Sequence, residues 1–101
     1  MKILAALALL FASSLCAAAP DSLMTNSRVR FMAANCAYCH GPDGKSRGAI
    51  PSLAGMDKHY FVEKMKGFRD GTRPSTIMSS HASGYTDAEF VALGNWFANH
   101  K

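Results

Sequence analysis

Cys36-Ala37-Tyr38-Cys39-His40 is the stretch that decides how this chain is read. Two cysteines two residues apart, followed at once by histidine, form the signature of covalent haem attachment. The spacing has a chemical reason. The two thiols add to the two vinyl groups of one haem, which the short spacer can span, and the adjacent imidazole can then donate a ring nitrogen to the iron. Other uses of these residues fit less well. A thioredoxin-like pair belongs in a βαβ setting, and the sequence around it has no strand pattern. A zinc site asks for four ligands, usually with a second close pair, and His59 and His81 lack that spacing. A Cys36–Cys39 disulfide leaves His40 without a role and closes too short a loop to staple a domain. One such motif implies one haem.

Upstream, residues 1–18 (MKILAALALLFASSLCAA) read as a secretory signal: Lys2 as the charged start, an apolar run from Ile3 to Leu15, then small residues. Leu15 stands where a lipidated Cys16 would need a small residue. Cleavage after Ala18 leaves residues 19–101 as the mature domain, with Cys36 and Cys39 its only cysteines. Export places that domain in the oxidising periplasm, with no membrane insertion once the signal is gone.

Without the signal the composition changes character. The whole chain is 49% hydrophobic, but Leu, Ile, Val and Phe are only about 16% of residues 19–101. A net charge of +4 is too modest to force disorder. A small chain this lean needs a staple, and a bound group can be one. The expectation follows that residues 19–101 do not fold without haem. Lys45, Arg47, Lys58, Lys64, Lys66, Arg69 and Arg73 make no dense run, which argues against nucleic acid. They are either an ordinary solvated surface or a loose basic ring that steers acidic partners.

Downstream and upstream of the motif the pattern is helical, with long loops between. Asp21, Ser22, Thr25 and Ser27 are N-cap candidates for a helix running to about Ala37, with Leu23, Met24, Phe31, Met32, Ala34 and Ala37 apolar and Arg28 and Arg30 facing water. Residues 40–56 hold four Gly and two Pro and read as a loop. Residues 57–68 read as a helix capped by Asp57, with Phe61, Met65 and Phe68 on one stripe. Residues 69–85 read as loop again. Thr86 and Glu89 form a capping box, opening a helix to about Asn99. Gly94 lets a neighbour approach closely. Phe31, Phe90, Leu93, Trp96 and Phe97 are expected to join the first and last helices and wall the haem pocket. The fold class is all-α: three main helices and long loops wrapped around one covalent haem.

The second axial ligand has several candidates: Met56, Met65, Met78, His59 and His81. Met65 lies on a core stripe, and Met56 follows His40 too closely to reach the opposite haem face. Met78 lies in the second loop, on chain free to fold over that face, and is the first choice, with His81 the alternative. A thioether there raises the potential relative to a second imidazole.

Over nearly the whole mature length the chain resembles class I c-type cytochromes. Within them it is most similar to the single-haem cytochrome subunits of flavocytochrome c sulfide dehydrogenases. The stretches that carry the likeness are Cys36-Ala-Tyr-Cys-His-Gly41, Ile50-Pro-Ser-Leu-Ala-Gly55, Arg73-Pro-Ser-Thr-Ile-Met78, Gly84-Tyr-Thr-Asp-Ala-Glu89 and Trp96-Phe97-Ala98. The resemblance implies that Cys36 and Cys39 bind haem, that His40 is the proximal ligand and Met78 the distal one, and that Pro51 offers its carbonyl to the other ring nitrogen of His40. Tyr60 and Tyr85 are candidate partners of the haem propionates. The family usually has a bulkier, partly apolar stretch where this chain has Ser79-Ser80-His81. The function implied is electron transfer, not catalysis, with a flavoprotein subunit as partner. The alternatives are a free-standing periplasmic carrier serving another redox enzyme, and a haem enzyme or sensor with an open sixth position.

Overall fold

Local capping chemistry places the helices. In the computed structural model, which describes residues 24–101, α1 spans Asn26–His40, α2 Lys58–Asp70, α3 Met78–Ala82 and α4 Asp87–Asn99, with one 3-10 turn at Pro42–Gly44. No strand occurs among the described residues. The signal assigned to residues 1–18, the cap candidates Asp21 and Ser22, and Leu23 lie outside them. None of the helices described is long and apolar enough to cross a membrane.

Thr25 is the cap that α1 uses: its hydroxyl accepts from Arg28 N–H at 3.2 Å. The helix continues to His40, three residues past the expected end, because Gly41 terminates it: φ is +89° and its N–H donates to the Ala37 carbonyl at 2.9 Å. Asp57 caps α2, accepting from Tyr60 N–H at 2.9 Å, and left-handed Gly71 ends it at Asp70. The capping box of α4 is present in both directions: Thr86 Oγ1 accepts from Glu89 N–H at 3.2 Å, and Glu89 Oε1 from Thr86 N–H at 3.0 Å.

The segment 69–85 is not loop throughout. It includes the last two residues of α2 and the short α3. Ser75 Oγ accepts from Ser79 N–H at 3.0 Å, and Ala82 is fully buried. Five residues with a Ser-Ser-His centre carry no readable period. Tertiary contact with α2, not propensity, holds a helix this short.

The core lies where α1, α2 and α4 meet. Val29, Met32 and Ala33 of α1 pack with Phe61, Val62 and Met65 of α2 and Phe90, Leu93 and Phe97 of α4. The rings of Phe61 and Phe97 are 5.8 Å apart, a favourable tilted pair. Gly94 does permit close approach: a Cβ there would stand 3.2 Å from the Lys58 carbonyl oxygen and 3.3 Å from the Phe61 ring.

One expectation for α1 needs correction. Phe31 does not join α1 to α4. It is 75% exposed, because the face of α1 that meets α4 carries Val29, Met32 and Ala33 instead. Trp96, half-buried, packs against the core as expected and stacks on His100 at 3.9 Å. Arg28 is exposed as expected, and its guanidinium meets Glu89 at 3.5 Å, linking α1 to the start of α4.

A second ionic tie joins the end of α2 to the start of α4. Arg69 Nη1 is 2.6 Å from Asp87 Oδ1, and Lys66 Nζ is 4.0 Å from the other oxygen. The hydrogen bond from Arg69 holds the Asp87 carboxyl below its ordinary value of 3.8. A depressed carboxylate stabilises the fold above the unfolded value and loses that contribution as pH falls through the folded one. Asp87→Asn is therefore expected to make the acid side of the stability profile shallower below about pH 4. Thermal melts of the haem-bound protein between about pH 3 and pH 7 check this; an unchanged acid limb would refute it.

Candidate functional site

The attachment motif fills the last turn of α1, so Cys36, Cys39 and His40 are presented together at one end of a helix. They open onto a cleft of about 890 Å³. Its walls come from the C-terminal half of α1, the segment 49–53, the inner face of α2 and the stretch from Pro74 to His81. The lining is mostly apolar: Leu53, Phe61, Met65 and Phe68 form its floor, with Phe31, Tyr38, Ile50 and Ile77 nearer solvent. A flat, largely apolar macrocycle suits such a space, and the thiols at its edge suit covalent attachment.

The fold orients His40. Its Nδ1–H donates to the Pro51 carbonyl at 2.6 Å. That bond fixes the tautomer and leaves Nε2 as the free donor. Pro51 is delivered by a loop that is itself pinned: Leu53 and Ala54 N–H groups both donate to the Gly44 carbonyl, at 2.8 and 3.1 Å, and Ser52 Oγ accepts from Ser46 N–H at 2.9 Å.

Cys36 is half-buried, with its thiol 3.9 Å from the Met32 carbonyl, while Cys39 is exposed. Burial pushes the Cys36 thiol up to about 11. Exchange catalysis needs the opposite, a thiol with its pKa lowered towards neutrality. The environment thus adds a second argument against a disulfide-exchange pair.

Of the second-ligand candidates, Met56, Met65, Met78 and His81 line the cleft and His59 does not. Met65 is buried in the core. Met78 opens α3 and His81 follows one turn later, so both donors lie on one short element at the cleft wall. Tyr85 also lines the cleft. Tyr60 does not: it is half exposed on α2, with Lys64 Nζ 5.0 Å from its ring centre.

Phe90, Leu93, Trp96 and Phe97 are not among the cleft residues; the wall expected from them is supplied by α2. Sequence reading missed Val29, Ala33 and Val62 in the core. The signal existed: Val29, Met32, Ala33 and Cys36 fall at i, i+3, i+4 and i+7.

Comparison with known proteins agrees with this geometry. The family model for cytochrome c matches residues 28–101. The chain is 40% identical over 76 residues to the cytochrome subunit of sulfide dehydrogenase from Chlorobaculum tepidum, covering 75% of this chain and 69% of that protein. It is 34% identical over 71 residues to a thiosulfate dehydrogenase electron acceptor from Thiomonas intermedia, covering 68% of this chain and 33% of that one. It is 33% identical over 70 residues to cytochrome c4 from Pseudomonas aeruginosa, covering 68% and 35% respectively. It therefore spans about a third of the length of these last two relatives. The chain belongs to the cytochrome c family: it is an electron-transfer protein with an all-α fold, and its cofactor is haem c, held covalently through cysteine.

Proposed function

We propose that the chain is exported to the periplasm, losing residues 1–18, and there accepts electrons as the cytochrome subunit beside a flavoprotein that oxidises sulfide. The observation that carries this reading is the 40% identity, over three quarters of the chain, to a protein named as such a subunit. Bound haem supplies a one-electron iron couple. Cys36 and Cys39 hold it through thioether bonds, so it is not lost to the medium. His40 binds iron through Nε2, its ring held by Pro51. Met78 on α3 would be the other iron ligand, leaving no open position for substrates and limiting rearrangement on electron transfer. The apolar floor of the cleft would disfavour the extra charge of ferric haem and so raise the potential. Tyr85, which lines the cleft, would meet a propionate.

The partner is tested by mixing the haem-bound protein with candidate flavoproteins and following haem reduction by sulfide. Rapid reduction, with a stoichiometric flavin-bearing protein on co-purification, is expected. A stable lone carrier that no flavoprotein reduces would favour the second reading, a free-standing carrier, which the likeness to a thiosulfate dehydrogenase electron acceptor supports. The ligand is tested separately. Met78→Ala should abolish the long-wavelength ferric band of sulfur ligation. The potential should fall by on the order of 0.1 V, within the ~0.8 V that axial ligation spans. An unchanged band and potential would overturn the assignment of Met78.

A further inference from the structure

We propose that His81 is a reserve iron ligand, taking the sixth position when the Met78 thioether is absent or displaced. The proposal rests on Met78 being the resting ligand. Its basis is the placement of two donor side chains on one element: both line the same cleft, and they are three residues apart on α3. That spacing puts them about 60° apart around the helix and about 4.5 Å apart along it. A modest turn and slide of α3 exchanges one for the other.

The element is built for such a movement. It has only five residues, and one side-chain bond holds its start, Ser75 Oγ accepting from Ser79 N–H at 3.0 Å. Ala82 is its one buried residue, an anchor at the far end from Met78. The chain entering it, from Gly71 to Ile77, is irregular. The other donors at the cleft are less able to compete. Met65 is locked in the core, Lys64 is engaged over the Tyr60 ring, and Met56 precedes α2 on a different element. His81 is exposed at the cleft mouth, and a neutral imidazole is a stronger donor to ferric iron than a thioether. The consequence is a centre that stays six-coordinate, closed to small ligands, even when the sulfur is lost.

The test compares Met78→Ala with Met78→Ala/His81→Ala, both as haem-bound protein. The single variant is expected to lose the sulfur band yet remain low-spin, with an electron paramagnetic resonance spectrum of two nitrogen ligands. The double variant is expected to be high-spin in the ferric state. It should bind carbon monoxide at least about tenfold more tightly when reduced, the ratio set by a site closed nine-tenths of the time or more. A single variant that is high-spin, or that binds carbon monoxide as tightly as the double variant, overturns the proposal. So does a double variant that stays low-spin, since another donor would then be responsible. Should Met78→Ala not accumulate with haem, Met78→Leu keeps the apolar volume and carries the same comparison. Failure of the Met78 assignment is seen apart from these outcomes, in the wild type: absence of the sulfur band there, or its survival in the single variant, removes that reading and this proposal with it.

Discussion

Without haem, the chain is expected to lose its helical signal almost entirely and to be digested rapidly by proteases. The buried apolar residues among those described are few, and they lie to one side of a cleft of about 890 Å³. Emptying that cleft leaves Leu53, Phe68, Met78 and Tyr85, which line it and are only partly buried, facing water. A domain of this size has a margin of only ~5–10 kcal/mol, and two of its connections, 41–57 with its single 3-10 turn and 71–77, take their course around the cleft. The Cys36→Ser/Cys39→Ser variant, which cannot be attached covalently, is the way to prepare the haem-free chain. Its far-ultraviolet circular dichroism should resemble an unfolded chain at 25 °C, while the wild-type holoprotein shows cooperative thermal unfolding. A protease-resistant, helical apoprotein would refute the view that haem is the centre of this core.

The second large effect is expected at Gly41. This residue ends α1 directly after His40, with φ +89° and ψ 166°. That region of backbone space is open essentially to glycine alone, and other residues pay on the order of 1–3 kcal/mol there. The space is also taken: a Cβ would fall on the Lys45 carbonyl oxygen and within 3.0 Å of Ser46 Cα. Backbone, not a flexible side chain, is in the way. The turn that would have to move starts the loop that brings Pro51 to His40, and its hydrogen bonds run from Gly44 and Lys45 N–H to the carbonyls of Gly41 and Pro42, at 2.9 Å each. Gly41→Ala should therefore cost roughly 3 kcal/mol, lowering the Tm of the holoprotein by more than about 10 °C. It should also reduce the yield of haem-bound protein. A Tm within about 2 °C of the wild type would show that the turn relaxes freely and that this account of it is wrong.

What could be read from the residues was whatever depends on near neighbours in the chain. The haem motif spans five residues, and covalent chemistry fixes its spacing. The caps at Thr25, Asp57 and Thr86 each act over three residues, so three helices were legible. The lean composition already implied a core completed by something else. Tertiary structure decided what depends on competition between faces. Helix α1 has two neighbours, α4 on one side and the cleft on the other. Both of its faces carry apolar residues; the spacing of Val29, Met32 and Ala33 marks one stripe, but packing decided that this stripe meets the protein core and that Phe31 stands at the mouth of the cleft. The same holds for α3, a helix too short to exist on propensity, which packing on α2 and a buried Ala82 hold in place. Because α3 is made by tertiary contact, the juxtaposition of Met78 and His81 on one cleft wall belongs to the fold, whereas Cys36, Cys39 and His40 were already placed together by the sequence itself.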